Sequence, residues 1–273
     1  MKTSILAAVA VVALAAAPPA MAPAAQPKDE SLQISLGYDG RLLVKVLDMQ
    51  VEQHATAHGF GSSARLVSTG VLRLLKNVDE RASSQGRISG GDVRPGTFEY
   101  QHLSSKTKRK VKVVWGPGDV EMTATVPFSS LGDPPASREQ KLAAVDPLTG
   151  LMEMTLSGPR AGLCRRSYSF FDGKQLYALD FSNQRPGSPT DTEKRLGLTG
   201  PFSCDVRFRE VAGFKPKPPE KRNQGLQKPI EVDFAQVGAA GPLVISRLRA
   251  ATPLGRATIE LKRLTVSGKD PTG

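Results

Sequence analysis

Apolar and polar residues alternate along several segments of the chain. In the first segment, one face of a predicted strand carries Leu32, Ile34, Leu36 and Tyr38, and polar residues such as Gln33 and Ser35 lie between them. A period of two residues is typical of an antiparallel strand with one buried face. The alternation recurs in three later segments, which carry Val111, Val113 and Trp115, then Met122, Ala124 and Val126, and finally Ala257, Ile259 and Leu261. The pattern predicts an all-β fold.

Turn sequences separate these predicted strands. Examples are GYDG, SGGD, GPGD, FDGK and TPLG, all rich in residues that favour tight turns. Short strands divided in this way predict a sandwich or a barrel.

One segment has the signals of a helix instead. Asp146 can cap the first turn, Pro147 suits the first helical position, and Leu148, Leu151 and Met152 follow at helical spacing. The sequence therefore predicts one short helix from Pro147 to Thr155. The segments 186–200 and KPKPPEKRNQG are polar and rich in proline and glycine, which predicts exposed loops.

The first 24 residues have the layout of a secretory signal peptide. Lys2 precedes an apolar run from Ile5 to Ala17, and small residues and prolines follow. We expect cleavage after Ala24 and a single periplasmic domain over residues 25–273, with a core at about 32–266. No cysteine follows the apolar run as a lipid attachment site, and no later segment is long and apolar enough for a membrane helix.

The chain is strongly basic, with a formal net charge of +11 over 273 residues. In an exported protein such a charge either serves solubility alone or favours anionic membrane surfaces or acidic envelope polymers as partners, and no nucleic acid is expected. The densest basic run comprises Lys106, Lys108, Arg109, Lys110 and Lys112. It is interpreted either as a solvated hairpin tip that discourages sheet pairing or as an anchor for anionic headgroups.

The chain contains two cysteines, Cys164 and Cys204. Counting by twos places Cys164 on a strand face with Tyr168 and Phe170, and Cys204 on a face with Val206 and Phe208. An even cysteine count in an oxidising compartment predicts a structural disulfide between them. The spacing does not match a two-residue redox motif.

The same segments resemble a known family. The sequences LCRRSYSFFDGKQLYALDF and FSCDVRFREVAGF, with DPLTGLM and GGDVRPGTFEY before them, are similar to the exported bacterial family catalogued as domain of unknown function 3108. The resemblance covers about residues 32–266. It implies a periplasmic all-β fold, a curved sheet or incomplete antiparallel barrel, with no established activity and no catalytic residues.

Signals for enzymatic chemistry are weak. His54 and His58 lie four residues apart, but the glutamate of a zinc-protease motif is absent and the third histidine, His102, is distant. The segment GFGSSAR lacks the last glycine of a serine nucleophile motif, and phosphate-loop and dinucleotide motifs are also absent. We therefore expect no enzyme, no cofactor and no metal site. The segment GGDVRPGTFEY is interpreted first as the end of one strand and the start of the next. A role for Arg94 as an anion ligand is the weaker alternative.

Two functions follow as hypotheses. In the first, a concave apolar sheet face binds a lipid or another hydrophobic envelope molecule. The residues predicted to line it are Leu32, Ile34, Leu36, Val111, Val113, Trp115, Val206 and Phe208. In the second, the protein supports the envelope through contacts with acidic polymers or proteins. The alternative for the apolar face is an ordinary core filled by the helix that starts at Pro147.

Overall fold

The structure is a computed structural model that describes residues 31–75, 77–157, 162–216, 228–252 and 255–268. The predicted signal peptide lies outside the described residues, as does most of the loop KPKPPEKRNQG. Among the described helices, none is long and apolar enough to cross a membrane.

Thirteen strands form one sheet. The first seven are β1 Leu32–Arg41, β2 Lys45–Ala55, β3 Gly59–Ser68, β4 Asp79–Ser89, β5 Asp92–His102, β6 Lys110–Gly116 and β7 Asp119–Ala124. The other six are β8 Ser167–Phe171, β9 Leu176–Pro186, β10 Leu198–Ala212, β11 Ile230–Val237, β12 Leu243–Thr252 and β13 Gly255–Gly268.

The sheet is antiparallel throughout and consists of two meanders. The strand order is β7-β6-β5-β4-β3-β2-β1-β13-β12-β11-β10-β9-β8. The meanders join where β1 pairs with β13, in a register that places Ile34 opposite Val266. Among the described residues β7 and β8 are the two edges and do not pair, so the curved sheet is not closed. The predicted all-β fold, an open antiparallel barrel, is confirmed.

The described residues also form four helices: α1 Gly70–Leu75, α2 Arg138–Leu142, α3 Pro147–Leu156 and α4 Asp191–Arg195. Helix α3 is the predicted helix, one residue longer than expected, with Asp146 as its cap and Pro147 in its first turn. The prediction of one helix omitted the other three because each spans six residues or fewer, too short to show a helical period.

Helix α3 packs against the concave face of the sheet. It contacts β3, β4 and β5 on one side and β8 and β12 on the other. Met152 and Leu156 pack in a cluster with Leu32 and Ile34, Leu148 joins a second cluster, and Met154 joins a third. The helix therefore fills most of the interior, as the alternative interpretation of the apolar face predicts.

The cap of α3 also ties the helix to the sheet. Asp146 is fully buried, and its Oδ1 accepts hydrogen bonds from the backbone N–H groups of Leu148 and Thr149, both at 2.9 Å. Its Oδ2 accepts from the hydroxyl of Ser84 on β4 at 2.9 Å and from that of Thr149. Burial raises the pKa of this carboxyl above its ordinary value, and the hydrogen bonds oppose that effect.

The two cysteines form a disulfide that joins β10 to the segment before β8. Their Cα atoms lie 5.4 Å apart. The prediction that Cys164 lies on a strand is wrong, because it lies in a 3-10 turn, Leu163–Arg165. Two backbone hydrogen bonds, from Arg165 to Gly162 and from Arg166 to Leu163, close this turn and delay the strand until Ser167. Cys164 nevertheless packs in one apolar cluster with Tyr168 and Phe170, as predicted.

Candidate functional site

A cleft of about 510 Å³ opens at one end of the curved sheet. Three parts of the chain meet there: the β5–β6 turn, the β8–β9 turn and the first residues of α3. The lining residues are Ala82, Phe98, Tyr100, His102, Ser105, Thr107, Arg109, Val111, Phe128, Pro147, Leu148, Asp172, Lys174, Gln175 and Tyr177. The cleft is the space that α3 leaves unfilled between the two meanders.

The floor of the cleft is apolar because strand pleating turns one face of β5 and β6 inward. Tyr100 pairs with Val111 and Phe98 with Val113, so these side chains share the concave face. Leu148 adds an aliphatic side chain from α3, and it packs in one cluster with Phe98 and Val111. The floor can therefore contact a hydrocarbon group.

The β8–β9 turn forms one wall. The Asp172 carboxylate accepts hydrogen bonds from the backbone N–H groups of Lys174 at 2.9 Å and Gln175 at 2.7 Å, which fixes the turn. Burial raises the pKa of Asp172, while these hydrogen bonds oppose the rise. Gly173 has φ +95°, and a Cβ there would lie 2.4 Å from Cγ1 of Val111. The turn therefore lies directly on β6.

Two cations flank an aromatic ring at the rim. The Arg109 guanidinium carbon lies 4.3 Å from the ring centroid of Phe128, and Lys174 Nζ lies 5.5 Å from it. Arg109 Nε also donates to the carbonyl of Val126 at 2.6 Å, and its Nη2 donates to that of Pro127 at 3.1 Å. Arg109 is thus held in place, whereas Lys174 is free of a carboxylate partner within 4 Å among the described residues.

Two tyrosines complete the polar part of the cleft. Burial, together with the nearby Glu80 carboxylate, raises the pKa of Tyr100. Burial and the Asp172 and Asp146 carboxylates raise the pKa of Tyr177. Both hydroxyls are therefore neutral near physiological pH, and they add no negative charge beside the two cations.

The eight residues predicted to line an apolar ligand site do not lie together. Leu32, Ile34 and Leu36 are buried in the cluster around Met152. Val113 is buried with Leu148, and Val206 is buried beside the disulfide. Of the eight, only Val111 lines the cleft. Because α3 covers most of the concave face, the structure does not bring these eight residues together in one cleft, and their role in ligand binding stays a prediction.

Trp115 and Phe208 also lie outside the cleft lining. Trp115 Nε1 donates to the carbonyl of Ala144 at 3.1 Å, so the side chain packs over the connection between α2 and α3. Phe208 stacks on Tyr177 with 5.1 Å between ring centroids, and it contacts Phe214 on its other side.

The five residues of the basic run point in different directions. Lys110 Nζ lies 2.6 Å from Glu99 Oε2, and Lys112 Nζ lies 3.8 Å from Oε1 of the same carboxylate. Lys106 and Lys108 are exposed in the β5–β6 turn. Only Arg109 reaches the cleft. The run therefore does not form one continuous patch, and its interpretation as an anchor for anionic headgroups stays a prediction.

The three histidine side chains do not form one cluster. His54 is exposed on β2 and His58 in the β2–β3 turn, while His102 contacts Glu80 at 3.4 Å across β4 and β5. In the described part of the chain, no group of three His, Cys, Asp or Glu side chains is placed to hold a metal ion. Arg94 is exposed and pairs with Asp92 at 3.1 Å.

The sequence alone does not identify most of the residues that line the cleft. Lys174 is the last residue of the recognisable turn sequence FDGK, but Phe128, whose ring it faces, lies in a segment without any hydrophobic period. Leu148 and Tyr177 have the same alternation or helical spacing as ordinary core residues. The turn sequence FDGK is the one signal that could have identified a cleft residue, since it predicts a tight turn that carries a cation.

The fit of the β8–β9 turn against β6 can be tested by Gly173→Ala. We expect this change to lower the free energy of unfolding by about 2 to 4 kcal/mol, because it combines an unfavourable positive φ with overlap against Val111. The matched control is Gly91→Ala, at φ +84° with no atom within 4 Å of the added Cβ, which we expect to cost about 1 kcal/mol. Equal losses in urea titrations of the two variants would show that the turn is not tightly seated.

These features define the class of the protein: an open, barrel-like antiparallel sheet around a central helix, with a cleft at one end. Among solved structures, a beta-barrel-like protein of domain of unknown function DUF1849 from Brucella abortus is similar to the chain. The similarity covers 88% of this chain and 98% of that chain, at 10% identity and a TM-score of 0.46. No protein-family profile and no curated protein matches the chain. Membership of family 3108 therefore stays a prediction.

Proposed function

We propose that this is a non-enzymatic periplasmic protein that binds a single-chain amphiphile with an anionic head in the cleft. The observation that carries the proposal is the combination of an apolar floor with two cations at the rim. Phe98, Val111 and Leu148 offer contacts to a hydrocarbon chain, and Arg109 and Lys174 lie where an acidic head would emerge.

The size of the cleft supports this class of ligand. Its volume of about 510 Å³ lies within the range of roughly 300 to 1,000 Å³ that is usual for small-molecule sites. Because α3 fills the rest of the interior, a fatty acid or a similar single chain fits the proposal better than a lipid with two chains.

The proposed compartment rests on two other features. The first residues have the pattern of a cleavable signal peptide, and a buried disulfide is typical of oxidising compartments. Membership of the exported family of unknown function 3108 belongs to the same proposal, and it is supported by the sequence segments around the two cysteines together with DPLTGLM and GGDVRPGTFEY.

The ligand proposal predicts charge-dependent binding. We expect decanoate to displace a fluorescent fatty acid from the mature protein and to raise its melting temperature with concentration. Lys174→Glu is expected to weaken decanoate binding by at least about tenfold, because it places a carboxylate beside the ligand head. Decanol, which has the same chain without the charge, should bind both proteins almost equally.

The control for this experiment is Lys215→Glu. Lys215 is exposed and does not line the cleft, so the variant has the same net charge without the local change. If Lys215→Glu weakens decanoate binding as much as Lys174→Glu does, or if neither decanoate nor decanol binds, the proposal is wrong.

A second function is favoured by one observation. Helix α3 packs against both meanders, so the protein has a well-filled core and only a partial cavity. A structural or interaction protein that contacts acidic polymers or proteins needs no larger cavity. Failure of both amphiphiles to bind would favour this second function.

A further inference from the structure

The turn between β1 and β2 exposes two apolar side chains. Leu43 is 96% exposed and Val44 is 56% exposed, and Arg41 and Lys45 lie on either side of them in the sequence GRLLVK. Two adjacent aliphatic residues that project from a turn are unusual on a surface in contact only with water, because nothing in the fold reduces the cost of hydrating them.

The base of this turn is well defined. Lys45 Nζ lies 2.9 Å from Oδ1 of Asp39 and 2.6 Å from Oδ1 of Asp48, and Arg41 Nη2 lies 3.7 Å from Oδ2 of Asp39, so two cations balance the two carboxylates that border the turn. The Leu42 N–H donates to the carbonyl of Val44 at 3.2 Å. The exposed side chains are therefore presented by a hydrogen-bonded hairpin tip.

The strand registers place this tip at the same end of the sheet as the cleft. Arg41 pairs with Lys45, and the β2–β3 and β3–β4 pairs place Leu47 opposite Ser68 and Val67 opposite Asp79. The β4–β5 pair then places Glu80 opposite His102, whose strand leads into the cleft. The β1–β2, β3–β4 and β5–β6 turns thus lie at one end.

The other meander brings further turns to this end. Arg41 pairs with Thr258 near the β12–β13 turn, and Ala212 on β10 pairs with Leu176 directly after the β8–β9 turn. Exposed cations are frequent in these turns and in the segments that adjoin them: Arg73, Lys106, Lys108, Lys215, Lys228 and Arg256.

The acids at this end do little to cancel that charge. Besides Asp39 and Asp48, Asp79 is paired with Arg65 at 3.0 Å, and the half-buried Asp172 carboxylate accepts hydrogen bonds from two backbone N–H groups of its own turn. Asp133 is exposed. Among the residues that the structure describes, exposed cations thus outnumber exposed acids around the cleft mouth and the apolar tip.

We propose that this end of the sheet docks on an anionic lipid surface, with Leu43 and Val44 inserted between the headgroups. A projecting tip offers little area to a protein partner, which usually needs about 800 Å² per side. A fluid membrane interface can instead surround such a tip, and the surrounding cations add attraction to anionic lipid. Docking in this orientation turns the mouth of the cleft toward the lipid.

The test is binding of the mature, oxidised protein to vesicles, measured by flotation at low salt. We expect binding to vesicles that contain phosphatidylglycerol, weaker binding to phosphatidylcholine alone, and loss of binding as salt is raised. The variant Leu43→Ser with Val44→Ser is expected to lower the partition coefficient by about tenfold or more, since two aliphatic side chains no longer leave water.

The matched control is Leu142→Ser. Leu142 is 38% exposed on α2, which packs near the far end of β6 and β7 and therefore away from the tip. We expect this variant to bind vesicles as the parent protein does, and melting curves should show that both variants are folded.

The docking proposal and the ligand proposal can fail separately. Decanoate binding without vesicles should be unchanged in the tip variant, because neither tip residue lines the cleft. Unchanged vesicle binding by the folded tip variant would overturn docking, whatever the decanoate assay gives. Loss of self-association in that variant, with vesicle binding absent in the parent, would also overturn it and would assign the tip to a second copy of the chain.

Discussion

Replacing Cys204 by serine is expected to lower the free energy of unfolding of the mature protein by about 2 to 5 kcal/mol. The disulfide spans a sequence separation of 40 residues, and closing a loop of that size in the unfolded chain accounts for roughly 4 kcal/mol in the chain-entropy model. The bond also fixes the 3-10 turn before β8 against β10, so its loss loosens one edge of the sheet.

The environment of the bond adds to the effect. Both cysteines are buried in a cluster with Phe170, Val206 and Phe234. In the variant, a serine hydroxyl and a free thiol occupy this apolar cluster, and a buried hydroxyl without a partner costs further stability.

Urea titrations followed by circular dichroism measure the loss. Reduction of the parent protein is the matched control, because it breaks the same bond without changing any side chain to serine, and a similar fall in stability is expected. Alkylation of unfolded, unreduced protein, isolated from the compartment proposed for it, should label neither cysteine. Labelled thiols in that material would contradict the disulfide and weaken the proposal of export.

The strands could be predicted from sequence because burial on one face leaves a period of two. In β1, Leu32, Ile34, Leu36 and Tyr38 are all buried on the concave side, as their spacing indicates. Helix α3 was also predictable, since its cap and first-turn proline are local signals that require no knowledge of the fold. Both features depend on neighbouring residues alone.

The cleft could not be predicted in the same way. Val111 and Val113 have the same chemistry and both lie on the concave face. Only Val111 lines the cleft. Both side chains are buried, and the difference is that Val111 lies two residues nearer the β5–β6 turn, where the cleft opens. That placement depends on the register of distant strands.

The buried cap of α3 leads to the second large effect, in Asp146→Ala. We expect this variant to lose about 2 to 4 kcal/mol of stability, because four hydrogen-bond donors lose their acceptor at a fully buried position. The change also releases α3 from Ser84, so the clusters that meet on the helix are loosened together.

Two variants separate burial from capping. Ser137→Ala removes the cap of α2, an exposed helix with no buried residues, and is expected to cost about 1 kcal/mol or less. Asp146→Asn keeps an oxygen for the backbone N–H groups of Leu148 and Thr149, so it should cost less than Asp146→Ala. If Ser137→Ala and Asp146→Ala lower the free energy of unfolding equally, the hydrogen bond between Ser84 and Asp146 contributes nothing to stability.

The pH dependence supplies an independent readout on Asp146. Burial raises the pKa of this carboxyl in the folded protein above its ordinary value of 3.8, so the folded state holds the proton more tightly than the unfolded state does. The contribution of that proton to stability is therefore fully present below pH 3.8 and is lost as pH rises through the folded pKa. We expect the stability of the parent protein minus that of Asp146→Asn to fall with rising pH in this window, since asparagine does not titrate. A difference that rises instead would mean that the four hydrogen bonds outweigh burial and hold the carboxylate charged.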